Sequence, residues 1–498
     1  MREVFTSRLL DELADPSLNG EVPARISGVT ADSRRVEAGE CFVAVTGFKQ
    51  DGRRFIPQAL ARGASMIVAE PPDPLPEERV LRVLVPAVRP ALARLAAAFW
   101  GHPSRGFTVV GITGTNGKTT TSYLVEALLR ARGGRTGVIG TIQYRIGDQA
   151  VPAGPTTPEA VELQGMLARM RDAGVTGVAM EVSSHALALH RVDGIEFDVA
   201  IFTNLTQDHL DFHGTFDAYR RAKRRLFQRL EASAKPRRTA VVNTDDVSGA
   251  GMVAGLELPA ITFGLRRTAM VHPVDYASSI AGIRLTAATP RGRVEIRSPL
   301  IGEHNVMNLL GAVGAGVALG MDPAVIGREL GRVAAVPGRF ERVDAGQPFL
   351  VVVDYAHTPD ALERVLTTAR ALTRGRLGVV FGCGGDRDRG KRPIMGEIAA
   401  RLADRVWVTS DNPRSERPEA IIDEIVAGLG RVSPDPDRYA RMPERYEAIE
   451  DAIRWARAGD CVVAAGKGHE TYQLVGSEVL PFDDRAVARQ LLERRKSA

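Results

Sequence analysis

The sequence predicts an α/β fold in three domains. The first ground is length: 498 residues exceed what one hydrophobic core usually organises. The second is rhythm, because short apolar strand-like runs alternate with amphipathic helical stretches along most of the chain. The third is punctuation, since that rhythm restarts after the turn Pro337-Gly338-Arg339. The expected domains are a small N-terminal α/β module (1–101), a central domain with a mainly parallel sheet (102–336) and a C-terminal domain (337–498).

In the N-terminal module, Cys41 to Val45, Met66 to Ala69 and Val80 to Val85 read as strands, interrupted by Pro72, Pro74 and Pro76. The turn Gly101-His102-Pro103-Ser104 closes it. An apolar strand then runs into Gly111-Ile112-Thr113-Gly114-Thr115-Asn116-Gly117-Lys118-Thr119-Thr120, and a helix follows to about Arg132. Strand, glycine loop and helix N-terminus together make a phosphate cradle, because the loop amides and the helix dipole face the anion. Lys118 can reach β- and γ-phosphates, and the Thr119 hydroxyl can reach Mg²⁺. The spacing Gly114-x-x-Gly117-Lys118-Thr119 is tighter than the common phosphate loop, since position 112 is Ile. The central domain is therefore P-loop ATPase-like. Val175 to Glu181, Phe197 to Thr203 and Thr239 to Asn243 continue its sheet, with helices expected on both faces. In the last domain, Phe349 to Asp354, Leu377 to Phe381, Arg405 to Thr409 and Cys461 to Ala465 alternate with helices, as in a Rossmann-like fold. Gly382-Cys383-Gly384-Gly385 alone is a weak dinucleotide signal.

Composition narrows the function classes. A net charge of +5, 5% aromatics and no dense basic arm give no nucleic-acid footprint. Three cysteines far apart in sequence form neither a disulfide framework nor a zinc spacing, which favours a reducing compartment. No window approaches the roughly 18 apolar residues of a membrane span, and the first residues carry charge rather than a signal core. A cytoplasmic protein without membrane insertion, acting as a monomer on small molecules, is expected.

Strand ends should deliver the chemistry. Glu181-Val182-Ser183-Ser184-His185 and Asn204-x-x-x-Asp208-His209-x-Asp211 follow two of the strands. Glu181 and Asp208 are either Mg²⁺ ligands or ordinary strand-end carboxylates. His209 and His213, four apart, could share one face as zinc ligands do, yet no HExxH pattern accompanies them. Lys223 falls on the apolar stripe of Phe216, Tyr219, Leu226 and Phe227. An ammonium there either snorkels to solvent or is paired, neutralised or modified; a neutral amine can capture CO2 as an anionic carbamate.

Together with His304-Asn305-x-x-Asn308, these motifs resemble the Mur ligases, enzymes that build the peptide stem of peptidoglycan one amino acid at a time. The resemblance runs along essentially the whole chain. Asp32-Ser33-Arg34, Asp51-Gly52-Arg53-Arg54 and Asp411-Asn412-Pro413-Arg414 resemble the member that adds the third residue. The resemblance implies an ATP-dependent ligase joining meso-diaminopimelate to UDP-N-acetylmuramoyl-L-alanyl-D-glutamate through an acyl phosphate. It implies that Gly114, Thr115, Asn116, Gly117, Lys118, Thr119 and Thr120 hold ATP, with Asn305 at adenine, Arg339 at phosphate and Asp354 at ribose. It further implies two Mg²⁺ ions, one near Thr119 and Glu181 and one served by His209 and a carbamylated Lys223. The resemblance thus favours the modified over the snorkelling lysine. Catalysis would rest on Lys118, Glu181, His209 and Lys223.

For the muramoyl substrate the resemblance implies Ala31, Ser33 and the Phe48-Lys49-Gln50 turn at the uridine diphosphate. Thr156, Thr157, Ser183, Leu189 and Arg191 would hold the sugar-peptide part. Relatives often carry Asn where this chain has Pro155, Gln in place of Leu189 and Leu in place of Ala31, which leaves backbone contacts there. For diaminopimelate it implies Arg387, Asp411, Asn412, Pro413, Arg414, Gly466 and Glu470. Arg414 can bind the distal carboxylate bidentately, Arg387 resembles a second clamp, and Gly466 with Glu470 would receive the distal ammonium. Read alone, Asp411-Asn412-Pro413-Arg414 is a capped turn before a helix. A lysine-adding sibling, a folylpolyglutamate synthase-like ligase and a non-ligase ATP-switched binding protein are the alternatives.

Overall fold

A computed structural model describes residues 2–47, 50–72, 80–151, 154–433 and 435–497, so Phe48 and Lys49 lie outside the described residues. The chain divides into two compact units. One comprises Met1–His272, Ala288–Gly292 and Leu310–Ile326; the other comprises Pro273–Ala287, Arg293–Leu309 and Gly327–Ala498. Packing thus groups the first two expected stretches and assigns much of 273–309 to the C-terminal unit.

The first unit carries two mainly parallel sheets. The smaller runs in the order Ser17–Asn19, Leu81–Leu84, Met66–Ala69, Cys41–Val43, Val29–Thr30, antiparallel only at Ser17–Asn19. Leu9, Ile26, Met66, Val68, Leu81 and the helix Val88–Phe99 fill one face. The larger sheet has eight strands. Its order is Gln149–Val151, Tyr144–Ile146, Arg135–Ile139, Val175–Glu181, Thr108–Thr113, Val199–Phe202, Thr239–Asn243, Ala260–Phe263. The first two are antiparallel additions and the rest run parallel. Continuous apolar sequence at Val109–Ile112 and Val199–Phe202 reflects burial on both faces. The register pairs Glu181 with Ile112 and Phe202 with Thr113. Residues that follow those strands therefore gather round the loop after Thr113.

The second unit is built on a six-stranded sheet, ordered Glu341–Arg342, Leu350–Asp354, Cys461–Ala465, Leu377–Phe381, Arg405–Thr409, Tyr439–Met442. Only Glu341–Arg342 runs antiparallel. Asp354 pairs with Ala465, which places both at the carboxyl edge of the sheet beside the start of Gly466-Lys467-Gly468. A three-stranded sheet over His272–Ser279, Gly282–Thr289 and Gly292–Ser298 and a hairpin of Tyr472–Val475 with Glu478–Pro481 go beyond the predicted elements. Cys41, Cys383 and Cys461 are buried free thiols. No helix among the described residues is long and apolar enough to cross a membrane.

Candidate active site

The loop between Thr113 and Lys118 is fixed from both sides. A Cβ on Gly114 would lie 1.8 Å from Thr203 Oγ1, so only glycine lets the loop approach that strand end. Gly117, at φ +82°, caps the helix Lys118–Ala131. The Thr115 amide donates to the Asn204 carbonyl (2.8 Å) and the Asn116 amide to Asn204 Oδ1 (3.0 Å). Thr203 Oγ1 and Asn204 Nδ2 donate back to the Asn116 carbonyl, at 2.6 and 3.1 Å. Thr119 and Thr120 sit buried in the first helical turn. Lys118 Nζ donates to the carbonyls of Gly114 (2.9 Å) and Thr115 (2.8 Å).

Glu181, 1% exposed, accepts from Thr119 Oγ1 (3.0 Å), Thr141 Oγ1 (3.1 Å) and the Thr141 amide (2.9 Å). A threonine hydroxyl beside a carboxylate is the hard-oxygen pair that Mg²⁺ takes alongside phosphate oxygens. No motif points to Thr141; its signal is Gly140-Thr141 directly after the strand Arg135–Ile139, where a Cβ on Gly140 would meet Glu181 Oε1 at 2.4 Å.

Lys223 lies on the helix Phe216–Glu231 and is 1% exposed, so it does not snorkel. Tyr219, Leu226 and Phe227 share its buried face, whereas Phe216, expected on the stripe, is 42% exposed because it opens the first turn. Lys223 Nζ donates to the Gly114 carbonyl at 2.8 Å, the same oxygen that Lys118 uses. Its Nζ also stands 4.5 Å over the Tyr219 ring, and the Tyr219 hydroxyl is 3.1 Å from Thr115 Oγ1. Burial, reinforced by Lys118, holds the Lys223 amine well below the ordinary lysine range, and Asp208 offsets only part of this. His209, at φ +53°, precedes the short helix Leu210–His213. Its ring lies 4.7 Å from His185 and 6.3 Å from Tyr219. Burial lowers its pKa, Asp208 opposes, and Lys118 and Lys223 lower it further. Burial and the neighbouring His209 and His213 push His185 down to about 4. Among the described residues no three His, Cys, Asp or Glu side chains form a metal cage.

The residues expected at the muramoyl substrate fall into two groups in the first unit. Thr157 is fully buried; its hydroxyl donates to the Glu181 carbonyl (2.9 Å) and accepts from the Ser183 amide (3.1 Å). Ser183 caps the helix Ser184–Ala188 through the Ala186 amide, and Leu189 ends it. Arg191 donates to the Thr157 carbonyl (2.9 Å) and pairs with Glu159. Thr156 Oγ1 is 3.0 Å from Thr141 Oγ1, and Pro155 is exposed before it. In the N-terminal module, Ser33 is buried and donates to Gln58 Oε1 (2.7 Å), while Ala31 and Gln50 are exposed. Arg89 was not anticipated. It donates to the Thr46 carbonyl (3.3 Å), and its charge interacts with those of Glu159 and Arg191.

In the second unit, Asp354 ends its strand and accepts from the Phe340 amide at 2.6 Å. Burial pushes it up to about 6 against the pull of Arg339, whose guanidinium stacks 4.8 Å from the Tyr355 ring. Asn305, 2% exposed, donates to the Ile301 carbonyl (2.8 Å) and accepts from Asn308 (2.9 Å). The neighbouring His304 meets the Phe340 ring at 5.4 Å. The turn Asp411–Arg414 follows the strand Arg405–Thr409. Arg414, at φ +52°, donates to the Gly385 carbonyl (2.8 Å). A Cβ on Gly385 would sit 1.9 Å from the Pro413 carbonyl oxygen, so glycine at this position serves close approach to that turn. Arg387 is exposed, and it and Arg414 flank Gly384. Asn412 Nδ2 donates to Glu470 Oε2 (2.9 Å), and Asp411 stands against Gly466. Beneath them the fully buried Arg445 pairs with Asp484 (2.6 Å) and donates to the carbonyls of Ala465 (3.0 Å) and Ser410 (3.3 Å). Burial alone would lower Arg445, but Asp484 holds it above its ordinary value.

Comparison with known proteins covers the same segments. Family models described as "Mur ligase family, catalytic domain", "Mur ligase middle domain" and "Mur ligase, glutamate ligase domain" match residues 25–100, 112–316 and 338–468. The UDP-N-acetylmuramoyl-L-alanyl-D-glutamate–2,6-diaminopimelate ligase of Geobacter metallireducens is 47% identical over 494 residues, covering 96% of each chain. That of Solibacter usitatus is 46% identical over 491 residues, covering 99% of this chain and 98% of its own. A solved structure of a ligase with that same name superposes with a TM-score of 0.71 at 35% identity, covering 96% of this chain and 97% of its own. In sequence along nearly its whole length, and in fold, this chain belongs to the Mur ligase family.

Proposed function

We infer that this chain is an ATP-dependent ligase that adds meso-2,6-diaminopimelate to UDP-N-acetylmuramoyl-L-alanyl-D-glutamate, a step in making peptidoglycan precursor. The observation that carries the reading is near-full-length identity of 47% to diaminopimelate ligases. A carboxylate is a poor electrophile, so the γ-phosphoryl of ATP is transferred to the D-glutamyl side chain. The diaminopimelate amine then attacks the acyl phosphate and phosphate leaves. Two anions must meet, and Mg²⁺ supplies the charge that offsets their repulsion.

The protein's own part follows from its side chains. Loop amides of Gly114 to Thr120 and the Lys118 ammonium hold the phosphates. Thr119 and Glu181 are the ligands proposed for one Mg²⁺, His209 and Lys223 for the other. A lysine amine is a weak ligand for Mg²⁺, which prefers hard oxygen. Burial and Lys118 disfavour the charged form of Lys223, and the neutral amine is the form whose electron pair adds to CO2. On addition a new N–C bond would form and one proton leave, and the carbamate would offer hard oxygens for holding Mg²⁺. Asn305, Arg339 and Asp354 are proposed for adenine, phosphate and ribose. Ser33, Ala31, Gln50, Thr156, Thr157, Ser183, Leu189 and Arg191 are proposed for the muramoyl substrate, with Arg387, Asp411–Arg414, Gly466 and Glu470 for diaminopimelate.

The test is phosphate release by the purified chain with ATP, Mg²⁺ and the muramoyl dipeptide while the amino acid is varied. Meso-diaminopimelate is expected to drive turnover. Faster turnover with L-lysine would assign the lysine-adding sibling instead, and hydrolysis indifferent to amino acid would remove the ligase reading.

A further inference from the structure

Lys467 lies in the turn after the strand Cys461–Ala465 and is wholly buried. Its Nζ is 3.1 Å from Asn412 Oδ1 and 3.2 Å from Glu470 Oε2, with the Tyr472 ring 5.7 Å away. An ammonium has protons to give and no lone pair to accept with. The Leu474 amide, also a donor only, reaches the same Asn412 oxygen at 2.9 Å. Two donors on one atom fix which end of the amide is oxygen, and fill both of its lone pairs. The remaining hydrogen-bonding capacity of the Asn412 side chain is then donor: Nδ2 spends one N–H on Glu470 Oε2 and keeps one. Glu470 Oε2 in turn receives both Asn412 and Lys467, which leaves Oε1 as its open acceptor.

We propose that Lys467 is a positioning residue for amino-acid selection: by locking the Asn412 amide and one Glu470 oxygen, it divides the pocket into a donor point and an acceptor point. This rests on reading the surroundings of Asp411–Arg414 as the site of the incoming amino acid. The donor point, Asn412 N–H with the Arg414 guanidinium nearby, matches a carboxylate. The acceptor point, Glu470 Oε1, matches an ammonium. A substrate whose far end carries both groups satisfies both points. One with an ammonium alone leaves buried donors unpaired, and that mismatch penalises binding more than a lost contact does. Without Lys467 the Asn412 oxygen is held by the Leu474 amide alone and Glu470 Oε2 loses its ammonium partner, so the carboxylate and the amide that face it lose their fixed placement and both points lose definition.

The experiment compares meso-diaminopimelate with L-lysine as substrates of the full chain, before and after Lys467→Met. The expected result is a KM for diaminopimelate raised about tenfold and a diaminopimelate-to-lysine ratio of kcat/KM lowered by about tenfold or more, with the KM for ATP within about twofold of wild type. Lys467→Gln retains an N–H for Asn412 Oδ1, and it is expected to restore at least half of the lost selectivity on a logarithmic scale. Unchanged selectivity in folded Lys467→Met overturns the proposal. So does a Lys467→Gln protein that folds, binds ATP normally and has selectivity as poor as the Met variant. Where the Met variant does not fold, the Gln variant decides: near-wild-type selectivity supports the lock, and its collapse refutes it. Failure of the wild type itself to use diaminopimelate would instead refute the functional reading on which this rests.

Discussion

Lys223 and Lys467 are both sealed from solvent, 1% and 0% exposed, yet their neighbours are opposite in kind. Lys223 faces a carbonyl shared with the Lys118 ammonium, an aromatic ring and an apolar stripe. Lys467 faces a carboxylate and an amide oxygen. The contrast extends outward. Round the phosphate loop, burial lowers His185, His209 and His213 as well, so the charged forms of these bases are disfavoured there. Round the Asp411–Arg414 turn, buried cations are paired: Arg445 with Asp484, and Arg392 with Glu416 and Glu424. Neutral bases can still acquire a proton, a metal or a carbonyl carbon. Paired charges are already committed and hold geometry instead. The first arrangement suits chemistry and the second suits recognition.

Disruption should be greatest at the Arg445–Asp484 pair. Asp484→Asn leaves a buried guanidinium uncompensated and should cost about 3–5 kcal/mol of stability, read from denaturant unfolding. A cost under about 1 kcal/mol would show that the pair organises nothing. Next, Lys223→Ala should lower ligase turnover about 10²–10³-fold, roughly 2.7–4 kcal/mol in the barrier, with the thermal midpoint little changed. A short carboxylate such as acetate should restore part of it, and full activity without Lys223 would make the carbamate unnecessary. A smaller effect concerns pH. His185 titrates near 4 in the folded chain against 6.5 ordinarily, so the unfolded chain binds the extra proton between those values. Its contribution is complete above about 6.5 and is lost as pH falls through 4. Proton NMR of the His185 ring should give a midpoint near 4, and a midpoint at 6.5 would break the neutral-base picture. The smallest change should come from Arg221→Ala, which removes an exposed i,i+4 pair with Asp217 on Lys223's own helix, 66% and 59% exposed. A shift within about 0.5 kcal/mol is expected.

The parallel core was legible because strands buried on both faces are written as unbroken apolar runs. Val175–Glu181, Thr239–Asn243, Leu377–Phe381, Arg405–Thr409 and Cys461–Ala465 keep their predicted bounds. The sheet over 272–298 was not, since Gly292–Ser298 alternates buried and exposed residues with charges outward and never forms such a run. The phosphate loop declared itself through glycine spacing, and Lys223 through its misfit on an apolar stripe. Thr141, Arg89 and Lys467 did not. Their partners lie 40, 43 and 55 positions away in sequence for the bonds that define them, and only folding brings these together.

The Gly114 carbonyl, claimed by both Lys118 and Lys223, has a consequence for handling the enzyme. Under the carbamate proposal, dissolved carbon dioxide is a hidden reagent that competes with protons for one nitrogen. Purging a preparation with inert gas and acidifying it would then disarm the site by the same route. Bicarbonate in the assay buffer would shorten any lag before steady turnover.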